Sequence, residues 1–504
     1  MTGAARAPRS RPRIGPRARG GSAVKSSRVV LVLVLAVLAL AGEARAQSPE
    51  GVDGTLRYLP SDSAAAATFD TDLAGEELRG LDTKVRRVVG PMALLEGELR
   101  AVAREELGLD FDRDVRPLLG NRLVIGLTGL GETDGVLGAI EVSDPARLLL
   151  LTRSGAVTPA GQSGGVPLFR LGDYAWAAVR EDEIVLADSR ETLVAGLARR
   201  TGGTGLGETE LERRIGDLPR PSFVRGYVSS ATVLAVSDEP GIERLPWVAA
   251  LRTVGFTASA AGEALSAEAA ANTDPSGLST ADLPLAPGPE SPSLVRTGAG
   301  GSAFGLRDPA QVARFLVAEA RLGQRRAGFG RDRRRVDRDL DVARDLVALL
   351  GSSAVVTEDG AGRVASRTDV TDPEAFGDLL RRPSAGAFGL LADLGLLADV
   401  VGPERRASIR PLRGRNDLYL LTAPGQRVVF GLVGARFVTA PDERAARRIA
   451  IEAPAPFEGP GGAAAFTVAP APFGGPPLPG VGQLTGSVEA GLERVHLRLR
   501  LPVP

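Results

Sequence analysis

At about 100–200 residues per domain, the 504-residue chain holds roughly two to four domains and can bury a sizeable core. Aromatic residues make up only 4%, so Ala, Gly, Leu and Val must build that core, and no cysteine occurs anywhere. This excludes disulfides, thiolate chemistry, iron–sulfur ligation and a lipid-modified cysteine anchor. The formal net charge of zero hides an asymmetry. Residues 1–46 carry nine Lys/Arg against the single acid Glu43, which leaves the remainder at −8, an acidic surface that disfavours a nucleic-acid partner.

The first element is an uninterrupted apolar run of 13 residues, Val29 to Ala41, preceded by Lys25 and Arg28 and followed by Ala44-Arg45-Ala46. A positive flank, a short apolar stretch and a small-x-small motif predict a signal peptide over 1–46, cleaved between Ala46 and Gln47. A spanning helix needs about 20 apolar residues, so a retained anchor is the weaker reading. No second such run follows, and no membrane span is expected after cleavage.

Beyond the leader, short motifs recur in one order. Phe111-Asp112-Arg113-Asp114 precedes Leu118-Leu119-Gly120 as Val336-Asp337-Arg338-Asp339 precedes Leu349-Leu350-Gly351. Arg122-Leu123-Val124-Ile125 corresponds to Ala354-Val355-Val356, and Glu141-Val142-Ser143-Asp144-Pro145 to Asp369-Val370-Thr371-Asp372-Pro373. Ala67-Thr68-Phe69 pairs with Ala303-Phe304-Gly305, Pro167-Leu168-Phe169 with Asp417-Leu418-Tyr419, and Ser222-Phe223-Val224 with Ala465-Phe466-Thr467. Val254-Gly255-Phe256-Thr257 matches Leu484-Thr485-Gly486-Ser487. Such self-similarity predicts two tandem duplicated modules, 47–280 and 281–504. The Pro/Gly-rich stretch from Asn272 to Pro292 marks the joint as a linker or boundary.

The fold class expected for each module is α+β, mainly antiparallel sheets with helices packed against them. Trp176 to Val179 and Ile184 to Leu186 flank an acidic turn and predict a β-hairpin, with a helix from Glu191 to Ala198. Gln426 to Leu432 and Arg436 to Thr439 predict a second hairpin, after which Asp442 caps a helix running to Ala450. In the last strand Val495, Leu497 and Leu499 alternate with His496, Arg498 and Arg500, which predicts an apolar face on the core and His496 on a solvated face.

Candidate chemistry is sparse. His496 is the only histidine, and its two arginine neighbours lower its basicity, which argues against triads and histidine–metal sites. Lys84 is the only lysine left after cleavage and reads as part of an exposed basic face with Arg86 and Arg87. Asp110, Asp112 and Asp114 open like a calcium loop, but Val115 stands where a glycine is needed and Asn121 where a glutamate is needed. Eight arginines between Arg321 and Arg338 interleave with Asp332 and Asp337; they read as a solvated face, or as a contact for an anionic envelope polymer or lipid head groups. No catalytic residue, metal site or cofactor is expected, and no ligand-binding residue is assigned.

The segments Arg57-Tyr58-Leu59-Pro60-Ser61-Asp62, Phe69-Asp70-Thr71-Asp72, Leu119-Gly120 and Ile184-Val185-Leu186-Ala187-Asp188 resemble the bacterial family designated domain of unknown function 3352. The resemblance spans most of the mature chain and implies an exported, repeat-containing protein with no assigned reaction. The expected function is a non-enzymatic binding or structural protein of the periplasm or cell exterior, its partner an envelope protein, glycan or lipid. Two alternatives stay open: a carrier of apolar ligands between the modules, and a carboxylate-dependent hydrolase.

Overall fold

The computed structural model describes residues 52–70, 122–131, 135–142, 157–171, 175–220, 222–237, 241–260, 263–295, 301–326, 341–342, 344–360, 362–381, 408–412, 417–423, 426–455, 461–469 and 481–503, with positions 104, 110, 457 and 459. The expected leader and cleavage site at Ala46 and Gln47, with Lys84, Asp112, Asp114 and residues 327–340 of the arginine-rich region, lie outside the described residues.

Twenty strands are described, and every pairing among them is antiparallel. The first half holds β1 (Ala65–Phe69), β2 (Leu123–Leu127), β3 (Val136–Glu141), β4 (Val157–Ser163), β5 (Val166–Leu171), β6 (Ala175–Arg180), β7 (Glu183–Ala187), β8 (Val224–Ser229), β9 (Leu251–Ser259) and β10 (Ala264–Thr273). The second holds β11 (Ser302–Arg307), β12 (Leu350–Glu358), β13 (Val364–Val370), β14 (Ser408–Pro411), β15 (Leu418–Ala423), β16 (Gln426–Val433), β17 (Arg436–Ala440), β18 (Ala464–Val468), β19 (Leu484–Ala490) and β20 (Arg494–Pro502).

Hydrogen bonding sets the first ten in the order β4-β5-β6-β7-β3-β2-β1-β8-β9-β10. The second ten follow β14-β15-β16-β17-β13-β12-β11-β18-β19-β20, the same order strand for strand. The halves meet where β10 pairs with β20, from Ala264 opposite Pro502 to Asn272 opposite Arg494, so one sheet runs through both. The recurring motifs occupy strands of equal rank: Ala67 to Phe69 is on β1 and Ala303 to Gly305 on β11, while Val254 to Thr257 is on β9 and Leu484 to Ser487 on β19.

Helices pack against both halves, and in the second half they lie on both faces of the sheet, since Phe437 and Val438, adjacent on β17, belong to different core clusters. Helix α1 (Val52–Leu56) precedes β1 and packs against β2 and β3. Helix α2 (Arg190–Gly202) follows the β6–β7 hairpin, starts where the Ser189 side chain accepts the Thr192 amide, and ends at Gly203 in the left-handed region. Helix α3 (Glu208–Ile215) lies on β8 and β9. Its last carbonyl, from Ile215, approaches Gly255 so closely that a Cβ there would overlap it. Short helices α4 (Ser230–Val236) and α5 (Pro246–Ala250) lead from β8 into β9, and α6 (Pro309–Arg326) packs on β12. Helices α7 (Pro373–Leu380) and α8 (Glu443–Ile451) complete the second half, α8 being capped by Asp442, which accepts the Ala445 amide at 2.8 Å. Both expected hairpins and the helices after them are therefore present.

The core divides between the halves. Leu56, Tyr58, Leu137, Leu168, Leu193 and Leu206 fill the first beneath α1 and α2, all fully buried. Phe376, Phe430 and Phe437 anchor one cluster in the second, and Val438, Ala446 and Ile449 another beneath α8. Large aliphatic or aromatic side chains of this kind each contribute about 1.5–3 kcal/mol by leaving water.

Two readings of the sequence change. The segment after β10 is packed against the second half: Leu283 is buried, the Gln311 amide donates to the carbonyls of Thr280 and Leu283, and Arg307 donates to those of Ala286 and Gly288. The second change concerns His496, expected on a solvated face, which is buried, whereas Val495, Leu497 and Leu499 are only half-buried. The burial is local to His496, whose ring is bonded to Glu268 on the adjoining strand, while Arg500 on the same face of β20 is exposed.

Candidate functional site: a polar cleft where the halves join

Strand pairing places Glu268 opposite Arg498, Ala270 and Glu489 on either side of His496, and Ser487 on the other side of Arg498. Because side chains alternate along a strand, Glu268, Asn272, Ser487, Glu489, Arg494, His496 and Arg498 share one face. His496 Nε2 lies 2.7 Å from Glu268 Oε2, and the Arg498 guanidinium donates to Glu489 at 3.0 Å. The buried histidine and the neighbouring Arg498 are thus each paired with a carboxylate on an adjoining strand.

A carboxylate only accepts, so Nε2 carries the proton in the His496–Glu268 bond. Burial and the neighbouring Arg498 push the His496 pKa below its usual value, against the opposing pull of Glu268, and hold the ring neutral at neutral pH. Nδ1 is then a lone-pair acceptor. It is buried and has no hydrogen-bond partner among the described residues, an arrangement that costs about 1–3 kcal/mol if left unmet.

Beside this ring is a cleft of about 480 Å³ between the sheet face and the end of α3, lined among others by Asp217, Asn272, Glu489, Glu493, Arg494 and His496. Asn272 is fixed by its amide group, which donates to the carbonyl of Arg214 at 3.2 Å and to the Thr253 hydroxyl at 3.2 Å. Its Oδ1 lies beside Gly216, whose φ of 78° is in the left-handed region and turns the chain from α3 toward Asp217. Asp217 and Glu493 are exposed, and neither they nor Arg494 have a side-chain hydrogen bond or ion pair among the described residues.

Ser487, Glu268 and His496 carry the residue types of a serine–histidine–acid set. Their arrangement does not form one: Ser487 is 1% exposed and its hydroxyl makes no bond to His496. A nucleophile has to meet its substrate and its base.

Two further clefts stand at corresponding places in the halves. One of about 480 Å³ involves Asp62, Thr128, Glu191 and Arg199, at the start of α2 and the end of β2. The other, of about 550 Å³, involves Asp359, Arg363, Arg444 and Arg448, at the start of α8 and the end of β12. Their charges differ, and Arg363 is already held by Asp359 at 2.7 Å.

Several buried polar groups elsewhere are paired, while others, among them Arg180 Nη1, Trp247 Nε1 and Thr368 Oγ1, have no hydrogen-bond partner among the described residues. The Tyr58 hydroxyl donates to Glu183 at 2.5 Å and Arg200 donates to the other oxygen at 3.2 Å. Burial, then the Glu183 bond, pushes the Tyr58 pKa far up. Arg214 donates to the Tyr227 hydroxyl at 2.9 Å and lies over its ring. Arg367, 5% exposed, donates to the carbonyls of Ile449 and Glu452 and so closes the end of α8.

Of the acids weighed as calcium ligands, Asp110 is exposed. Among the described residues no group of three or more His, Asp or Glu side chains could hold a metal. No described helix is long and apolar enough to cross a membrane.

No family model and no curated protein matches the chain. Solved structures of TP0453 in three crystal forms are similar to part of it. Crystal form IV has 10% identity and a TM-score of 0.28, over 43% of this chain and 80% of that one. Form III has 10% and 0.27, over 45% and 82%, and form I has 11% and 0.27, over 45% and 81%.

Proposed function

We propose that the mature chain is a non-enzymatic binding or structural protein of the bacterial periplasm or cell exterior, built from two duplicated modules. The observation that carries this reading is the repeated strand order of the halves, joined through β10 and β20 beside an open polar cleft. Ordered sequence matches on strands of equal rank support the duplication, and the leader motif ending at Ala46 supports export. Kinship with the domain of unknown function 3352 family belongs to the same proposal and rests on the motifs around Tyr58 and Val185.

A carrier of apolar ligands is the second reading, and the clefts favour it less. All three are lined by several charged side chains, whereas apolar ligand sites are lined mainly by hydrophobic ones. The carboxylate-dependent hydrolase has less support, since Glu268, the carboxylate beside His496, is engaged with its ring.

Native mass spectrometry of residues 47–504, purified from the envelope fraction without detergent, tests the proposal when joined to a broad hydrolase screen. A bound small molecule or protein partner with no turnover is the expected result. Turnover that disappears in Glu268→Gln overturns it, and a co-purifying lipid transfers the conclusion to the carrier.

A further inference from the structure

We propose that the cleft beside the β10–β20 join binds a small primary ammonium compound, held by Asp217, Glu493 and the Oδ1 of Asn272, with His496 Nδ1 as the innermost acceptor. The inference rests on the binding-protein reading and names its ligand chemistry. Two independent features converge on it. The cleft presents acceptors in excess: Asp217 and Glu493 are exposed and have no side-chain partner among the described residues, and Glu489 already neutralises Arg498. Beside them the His496 side chain, only 7% exposed, keeps a nitrogen that lacks a partner among the described residues.

What this nitrogen lacks is a donor. With the Nε2 proton given to Glu268, Nδ1 can only accept, and the other side chains on the cleft floor do not supply a proton to it. An ammonium group supplies three N–H donors and a positive charge that matches Asp217 and Glu493. An anion or a ligand bearing only acceptors would face two carboxylates and a lone pair. Arg494, also without a side-chain partner among the described residues, lines the same cleft, where it can take a carboxylate on the same ligand. The volume of about 480 Å³ admits a molecule of amino-acid size.

Because His496 is the only histidine, histidine-selective ¹⁵N labelling of the mature protein gives two ring signals from this one site. The titrants are ethylammonium chloride and glycine at pH 8, with sodium chloride as control. The expected result is a saturable shift of the Nδ1 signal with Nε2 little changed, weakened at least tenfold in the double variant Asp217→Asn/Glu493→Gln. Both substitutions are on the surface, so folding is retained, and the unliganded spectrum of the variant checks this. Saturation by both compounds assigns recognition to the ammonium alone; saturation by glycine only adds Arg494 as a carboxylate holder. Either supports the proposal. A drift equal to that of sodium chloride, or a shift indifferent to the double variant, overturns it. In that event a co-purified adduct in native mass spectrometry leaves the binding-protein reading standing with a different ligand.

Discussion

Glu268 on β10 and His496 on β20 meet across the join between the halves, Oε2 to Nε2 at 2.7 Å, with the His496 side chain largely withdrawn from solvent. The pair couples a titrating group to the one place among the described residues where the halves share strand hydrogen bonds.

That coupling gives stability a pH dependence of defined sign. The folded-state pKa of His496 is below the ordinary 6.5, through burial and then through Arg498, with Arg494 adding to the same side and Glu268 opposing. As pH falls the unfolded chain takes up the proton first. The contribution is thus fully present above about pH 6.5 and is lost as pH drops toward the folded value. Urea denaturation from pH 8 to pH 5 should show the native protein losing stability relative to His496→Gln. A relative gain on acidification would contradict this.

Tyr58 tests the buried ion pair of the first half. Tyr58→Phe removes the donor to Glu183 and leaves the carboxylate to Arg200 alone, at an expected cost of about 1–3 kcal/mol in chemical denaturation. In a spectrophotometric titration of the four tyrosines, Tyr58 should ionise only well above the ordinary tyrosine range and Tyr227 above it, because both are raised chiefly by burial.

Arg367→Met is expected to free two carbonyls at the end of α8 while keeping the volume of the side-chain stem, costing about 1–3 kcal/mol. Hydrogen exchange should then rise first in the last turn of α8.

Gly255→Ala sets a methyl against the Ile215 carbonyl and should displace α3 together with Gly216 and Asp217. Overpacking of this kind costs about 1–3 kcal/mol, measurable as a lower denaturation midpoint.

Much of this fold is legible in the sequence because the signals are local. The β6–β7 and β16–β17 hairpins follow from alternating apolar runs around polar turns, and Asp442 from the chemistry of a helix start. The burial of His496 is not legible in β20 alone. Its period-2 pattern gives two faces but not which one is covered, and the partner that permits burial, Glu268, is the one charged residue of β10, over two hundred residues away. A lone charge in the otherwise small and polar strand Ala264–Thr273 was the available signal. The cleft is less legible still, since Asp217 and Asn272 are brought together only by the turn at Gly216 and the long-range pairing of β10 with β20.

Hydrogen exchange of the β10 and β20 amides tests the joining of the halves most directly, since it reports pairing that neither half can supply alone. If the two share one sheet, amides of Ala267 to Ala271 and of Val495 to Leu499 that point across the join are protected as strongly as those of β1 and β11. Exchange at the rate of an open edge strand, with β1 and β11 still protected, would contradict the account.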